Sequence, residues 1–295
     1  MQEETLYLIG YASGIAGVNA KTGEGPLVIQ RSPYLEALTD VAIHWNSMIY
    51  PPVNATLRLD EKVKQSCEDL ARSVSACVQN KQFFTVIGGD HTCAIGTWSG
   101  GYDALHASGE MGLIWIDAHM DSHTPETSPS GRIHGMPLAA LLGYGYSTLT
   151  SVLHYPPKLK PENICLIGVR SFESGEAELL KRLNVRIYFM EEVKQRGLIT
   201  VLKEAVEHVS HHTVGYGMTL DLDSIDPKEA FGVDVPEPDG IHTHNLYKGL
   251  SSILSDPKLI GVEIAEFDPM KDKNAETEKL IVSLLRIIAN SRRNT

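Results

Sequence analysis

Three short stretches of the chain place carboxylates and imidazoles at spacings that could hold metal ions. They are Gly88-Gly89-Asp90-His91, Asp117-Ala118-His119-Met120-Asp121 and Asp221-Leu222-Asp223. In extended backbone alternate side chains share a face, so Asp117, His119 and Asp121 can project to one side. The six donors are His91, Asp117, His119, Asp121, Asp221 and Asp223, and four of them are carboxylates. That is more than one structural zinc ion takes. The set suits a pair of divalent cations with oxygen-rich shells, and Mn2+ is the best match of hard carboxylates to a few imidazoles. Without such charge, four carboxylates gathered at one point would repel one another.

Each stretch closes an apolar run that reads as a buried strand: residues 83–87, 111–116 and 214–222. Further strands are expected at residues 6–9, 41–45, 164–168, 185–189 and 259–265. Helices are expected at 32–38, 60–80, 92–107, 136–142, 174–183, 191–210, 243–254 and 275–290. Residues 10–26 and 147–162 read as Gly-rich and Pro-rich loops. No Gly-x-Gly-x-x-Gly fingerprint occurs among the early glycines. Strand and helix alternate about eight times, which predicts an α/β fold with a mostly parallel sheet covered on both faces. In such a sheet all C-terminal strand ends lie along one edge, so donors 130 residues apart can converge there. No linker divides the 295 residues, so one domain spans 1–295.

Composition narrows the function classes. Twenty-six basic and 37 acidic residues give a net charge of −11, which argues against nucleic acid or an anionic membrane surface as a partner. No apolar run reaches the roughly 20 residues of a membrane span. The acidic start Met1-Gln2-Glu3-Glu4 lacks the basic region of a signal peptide. Cys67, Cys77, Cys93 and Cys165 show no Cys-x-x-Cys spacing and read as free, buried thiols in a reducing compartment, so a cytoplasmic location is expected.

The three motifs, in this order and spacing, resemble the ureohydrolase (arginase/agmatinase/formimidoylglutamase) family, and the likeness to arginases is strongest from Asp121 to His134. The resemblance implies a three-layer α/β/α domain with an eight-stranded parallel sheet, two Mn2+ per chain and hydrolysis of guanidino or amidino C–N bonds. It implies one metal on His91, Asp117, Asp121 and Asp223, and the other on Asp117, His119, Asp221 and Asp223. Asp121 would also hydrogen-bond the bridging hydroxide. His134 matches the proton-shuttle histidine, and Glu266, in Ala265-Glu266-Phe267-Asp268-Pro269, matches the guanidinium-binding carboxylate. Arginases hold the substrate's α-carboxylate with Asn, Ser and Asn where this chain has His123, Ser130 and Arg132. They place an Asp near the α-amino group where this chain has Glu173. The implied substrate is a small guanidino or amidino amino acid: L-arginine, giving urea and ornithine, or a close analogue. Formimidoylglutamate, agmatine or a non-catalytic metal-binding role are the alternatives. The family's trimers or hexamers imply a homo-oligomer.

Other chemistry-bearing residues have plainer readings. Asp90 and Asp226 read as local braces. His211 and His212 suit a helix C-terminus. His242 and His244 suit a surface loop. Trp45, Trp98 and Trp115 read as core or interface residues. Lys279, Arg286, Arg292 and Arg293 read as a solvated helix face or a subunit contact.

Overall fold

The computed structural model describes residues 5–292; the acidic start and Arg293 lie outside the described residues. Eight strands form one sheet: β1 (Thr5–Tyr11), β2 (Ala42–Ile49), β3 (Phe84–Ile87), β4 (Met111–Ile116), β5 (Ile164–Val169), β6 (Arg186–Phe189), β7 (Gly215–Asp221) and β8 (Leu259–Ala265). Their order is β2-β1-β3-β8-β7-β4-β5-β6, and every pairing is parallel. The chain leaves β3, skips two places to β4, and returns much later to fill the gap with β7 and β8. Such a break in strand order opens a crevice at the carboxyl ends, where ligands bind in open α/β sheets.

Eleven α-helical segments are described. They are α1 (Gly25–Gln30), α2 (Pro33–Glu36), α3 (Leu59–Gln79), α4 (Cys93–Leu105), α5 (Pro137–Leu141), α6 (Ser147–Thr150), α7 (Ser174–Arg182), α8 (Met190–Arg196), α9 (Leu198–Ser210), α10 (Thr243–Ser251) and α11 (Glu276–Arg292). Two apolar clusters, one on each face, hold the three layers together. Ile114, Ile116, Met218, Leu220, Val262 and Ile264 pack with α8 to α11. Their alternates Val86, Leu113 and Trp115 pack with α3, α4 and α5. Burial on both faces is why these strands read as continuous apolar runs. Trp98 of α4 is fully buried, and β7 makes room for it: a Cβ on Gly217 would lie 1.8 Å from its ring.

The structure departs from the sequence expectations in four places. The expected helix 191–210 is two helices, because Gly197 takes φ +81° between α8 and α9, a left-handed conformation that ends a helix. The Gly-rich loop 10–26 contains a 3-10 turn at Ala20–Glu24 and the start of α1, whose Pro26 sits where a helix N-terminus favours it. The Pro-rich stretch 147–162 opens with the single turn α6. Strand β2 runs on to Ile49: it is an edge strand, and polar His44, Asn46 and Ser47 hid its second half. The four cysteines are free and buried, as expected. Among the described residues no helix is long and apolar enough to cross a membrane.

Candidate metal centre and substrate cleft

The four central strands, β3, β8, β7 and β4, deliver the site. His91 lies four residues beyond β3, Asp117 directly follows β4, Asp221 ends β7 and Glu266 directly follows β8. The glycines of Gly88-Gly89-Asp90-His91 let this turn pass close to β1: a Cβ on Gly89 would sit 2.0 Å from the Ser13 carbonyl oxygen. Asp90 is the expected brace, accepting from Ala16 N at 3.0 Å and from Thr92 N at 3.1 Å. Asp226 likewise accepts from Lys228 N at 3.0 Å.

The six expected metal donors converge in two groups. In the first, His91 Nδ1 lies 3.3 Å from Asp117 Oδ2, 3.0 Å from Asp121 Oδ2 and 3.0 Å from Asp221 Oδ2. In the second, His119 Nδ1 lies 3.1 Å from Asp223 Oδ2 and 3.5 Å from Asp117 Oδ1. Asp117 therefore gives one oxygen to each group. Asp223 faces His119, one of the two sets in which the resemblance placed it, whereas Asp221 faces His91 and not His119, with which the resemblance had grouped it. The reason is local: Asp221 ends β7 beside β4, whereas Asp223 lies in the turn beyond it, where its Oδ1 accepts from Ala118 N at 3.3 Å.

Buried donors left without partners show that this cluster fits divalent cations. His91 Nδ1 and Asp121 Oδ2 are both buried and, close as they lie, neither makes a hydrogen bond of proper geometry among the described residues. Three carboxylate oxygens around one imidazole nitrogen could hold a metal ion, and such an oxygen-rich set suits a hard divalent cation. Charge tells the same story. Burial and then the neighbouring carboxylates Asp223 and Asp117 push Asp221 well above the usual carboxylate range. Burial and Asp117 push Asp121 up as well, and burial pushes up Asp223. Burial opposes a charge on His91, but Asp117, Asp121 and Asp221 outweigh it and hold the ring's pKa well above the ordinary histidine value. Nearby cations would let all the carboxylates ionise together.

The supports of this cluster escaped the sequence reading. The register pairs Trp115 with Thr219 and Thr219 with Glu263 across adjacent strands, so all three face the same side. Trp115 is buried core, as expected, but its Nε1 also donates to Asp117 Oδ2 at 2.8 Å. His91 Nε2 meets Thr219 Oγ1 at 3.0 Å, and Thr219 donates to Glu263 Oε1 at 2.7 Å. Glu263 is fully buried and also accepts from Thr97. Because Thr219 donates onward to Glu263, its oxygen is free to accept from His91 Nε2, and Nδ1 is the nitrogen that would be left for a cation. A glutamate inside the apolar run Leu259–Ala265 was the available signal.

Beside the cluster, His134 Nδ1 meets Glu266 Oε1 at 3.1 Å, and the same oxygen accepts from His91 N at 2.7 Å. Glu266 Oε2 has no partner among the described residues. Burial opposes a charge on His134, but Glu266 outweighs it and the imidazole pKa rises to about 9. Burial raises Glu266 to about 7. Asp121 and Glu266 both adopt positive φ, +48° and +70°, rare for residues with side chains and typical of functional positions.

One cleft of about 250 Å³ collects the remaining expected residues. His134, Glu266 and four of the six metal donors, His119, Asp121, Asp221 and Asp223, line it, and its lip carries His123, Ser130, Arg132 and Glu173. His123 Nε2 bonds Glu173 Oε2 at 2.9 Å and lies 3.7 Å from Glu176 Oε1. Glu176, which the sequence reading passed over, lines the cleft from the first turn of α7, 2% exposed, and burial raises its pKa to about 8. Its signal was the pair Glu173 and Glu176, which cap the two ends of one turn reciprocally. Ser130 and Arg132 are exposed on a turn where Gly131 takes φ +68°. His242 is the expected loop residue, exposed and paired with Glu229 at 2.7 Å.

The chain belongs to the arginase family, whose sequence profile matches residues 22–289. It is 38% identical over 251 residues to the arginase of Bacillus caldovelox, spanning 85% of this chain and 83% of that protein. It is 34% identical over 290 residues to the arginase of Bacillus subtilis (strain 168), spanning 96% and 97%. The crystal structure of arginase from Bacillus subtilis superposes with a TM-score of 0.87 over 97% of this chain and 98% of that one, at 34% identity. The formimidoylglutamase structure from Bacillus subtilis shares the fold, with a TM-score of 0.80 over 98% of this chain and 87% of that one at 20% identity. The protein is a hydrolase acting on amidino C–N bonds.

Proposed function

We propose that the protein hydrolyses the guanidino group of L-arginine, or of a close carboxylate-bearing analogue, to urea and an amine such as ornithine. The observation that carries this reading is one cleft holding two His/Asp groups on its floor, His134 and Glu266 at its wall and Arg132 on its lip. His91, Asp117, Asp121 and Asp221 would hold one Mn2+, and His119, Asp117 and Asp223 a second. Cations held there would lower the pKa of bound water and so supply hydroxide near neutral pH.

The residues do the rest. Glu266 Oε2, free of other partners, accepts from the guanidinium and presents its carbon to the floor. Attack makes that carbon tetrahedral, and the C–N bond to the alkyl nitrogen then breaks. The leaving nitrogen must gain a proton. His134 holds Nδ1 against Glu266, so Nε2 is the nitrogen that delivers it. Overall one water is consumed, and a guanidinium becomes neutral urea and an alkylammonium. At the far end Arg132 and Ser130 face the carboxylate, while His123, Glu173 and Glu176 face the ammonium.

A panel assay of purified, Mn2+-loaded protein tests this, measuring urea, ammonia and formamide release. Arginine should be turned over faster than agmatine, guanidinobutyrate or formimidoylglutamate. Formamide release from formimidoylglutamate alone would overturn the substrate assignment, and no turnover of any would overturn the catalytic reading. The proposal includes assembly into a trimer or hexamer, which light scattering at micromolar concentration checks.

A further inference from the structure

The second group of donors has a support of its own, on the stretch between β7 and α10. His119 turns Nδ1 towards Asp117 and Asp223, which leaves Nε2 for another partner. The carboxylate that faces it is Glu237, whose Oε1 lies 3.8 Å away, an ion-pair distance. Prolines flank this residue in Pro236-Glu237-Pro238, which restricts its backbone to extended conformations.

Arg170 fixes that stretch. Its Nε donates to Pro238 O at 2.8 Å and one Nη2 proton to Glu237 O at 2.8 Å. The other Nη2 proton goes to Asp223 O at 2.7 Å, and Nη1 donates to Ser224 O and Gly168 O, both at 3.2 Å. A guanidinium has five N–H groups, and here each meets a main-chain carbonyl. The backbone amides of Arg170 and Ser171 also donate to Ala118 O, at 2.9 and 3.0 Å, between Asp117 and His119. Gly240 must lack a side chain, since a Cβ there would come within 2.7 Å of Arg170 Nη2. One residue thus ties the main chain around all three donors of the second group to the stretch that carries Glu237.

We propose that Glu237, held by Arg170, is the positioning carboxylate of His119: it keeps the ring proton on Nε2 so that Nδ1 offers a lone pair to the cation shared with Asp117 and Asp223. The inference rests on the reading that both groups bind divalent cations. Metal-ligating histidines commonly give their other N–H to a carboxylate, and loss of that partner costs about 10- to 100-fold in metal affinity.

The test titrates the metal-free full-length chain with Mn2+, following stoichiometry by calorimetry and the coupled ion pair by electron paramagnetic resonance. The parent should bind two equivalents. Glu237→Ala should keep one at parent affinity and lose about tenfold or more in the other, with a weakened pair signal and an unchanged melting temperature of the metal-free protein. Glu237→Gln, which keeps an acceptor, should fall between the two. Arg170→Lys offers three donors in place of five and should weaken the same equivalent. Two equivalents at parent affinity in Glu237→Ala would overturn the inference. So would equal weakening of both with a lowered metal-free melting temperature, which marks a merely structural role. A parent that binds fewer than two ions would overturn the dinuclear reading itself, and the inference with it.

Discussion

At the floor of the cleft, Asp117 is fully buried at the end of a central strand, with Trp115 Nε1 on one carboxylate oxygen and His119 N on the other. On the lip, Arg132 is exposed on a turn whose hydrogen bonds are internal, Gly131 N donating to Ser128 Oγ and Arg132 N to Ser130 Oγ. The floor is held by the sheet, so its donors are oriented before any ligand arrives. The lip is held only by itself, so its residues can be exchanged without disturbing the floor. On the proposed function, chemistry resides in the first region and substrate choice in the second.

Substitutions can break or sharpen this division. The largest effect is expected at the floor: Asp117→Asn removes a charge shared by both groups, and metal content and turnover should collapse together, as read by elemental analysis and urea release. Retention of both ions would show that Asp117 is not shared.

At the wall, His134→Asn should lower kcat by about 10²- to 10⁴-fold while metal content stays normal. An unchanged rate would move proton transfer to another group, with His123 next in line. The lip should give a smaller and more selective change. Arg132→Ala should weaken kcat/KM for the carboxylate-bearing substrate by about ten- to a hundredfold, the scale of a hydrogen bond to a charged group. Agmatine, which lacks the carboxylate, should lose nothing. If discrimination between arginine and agmatine is untouched, Arg132 points elsewhere and His123 and Glu173 carry the choice.

The smallest effect is on stability. His134 has its pKa raised in the fold to about 9, so its contribution is complete below the ordinary value of about 6.5 and is lost as pH rises through 9. Metal-free parent should therefore lose melting temperature more steeply between these limits than His134→Asn does. Identical slopes would mean that the Glu266 contact stabilises no charge.

The same division explains what could be read from the sequence. The floor was legible because its donors occur two residues apart at the ends of apolar runs, and a parallel sheet must bring such ends to one edge. Which aspartate faces which histidine was not legible: Asp221 lies in the strand and Asp223 in the turn beyond it, a distinction that depends on where β7 stops. The supports were harder still. Thr219 and Glu263 become neighbours only through strand register, and Arg170 acts on carbonyls, which carry no side-chain signature. Helices were placed well where one face was apolar, as in α3, and poorly where Gly197 interrupted a periodic run. The helix-face cations also have local partners: Arg286 pairs with Asp40 at 3.4 Å, and Lys279 lies over the Tyr34 ring.

The strand order has a consequence for how the molecule comes into being. β8 alone joins β2-β1-β3 to β7-β4-β5-β6, and it pairs Gly261 with Phe84, emitted 177 residues earlier (261 − 84). A chain leaving the ribosome can pair β4 with β7 and gather Asp117 and Asp221, but the turn after β3 that carries His91 has no sheet hydrogen bonds to them until β8 pairs with both β3 and β7. Translation must therefore be almost complete before a cation can find a finished nest, and loading becomes a step that follows synthesis. A chain halted before Leu259 should take up no pair of ions, a loss that the coupled Mn2+ signal would report.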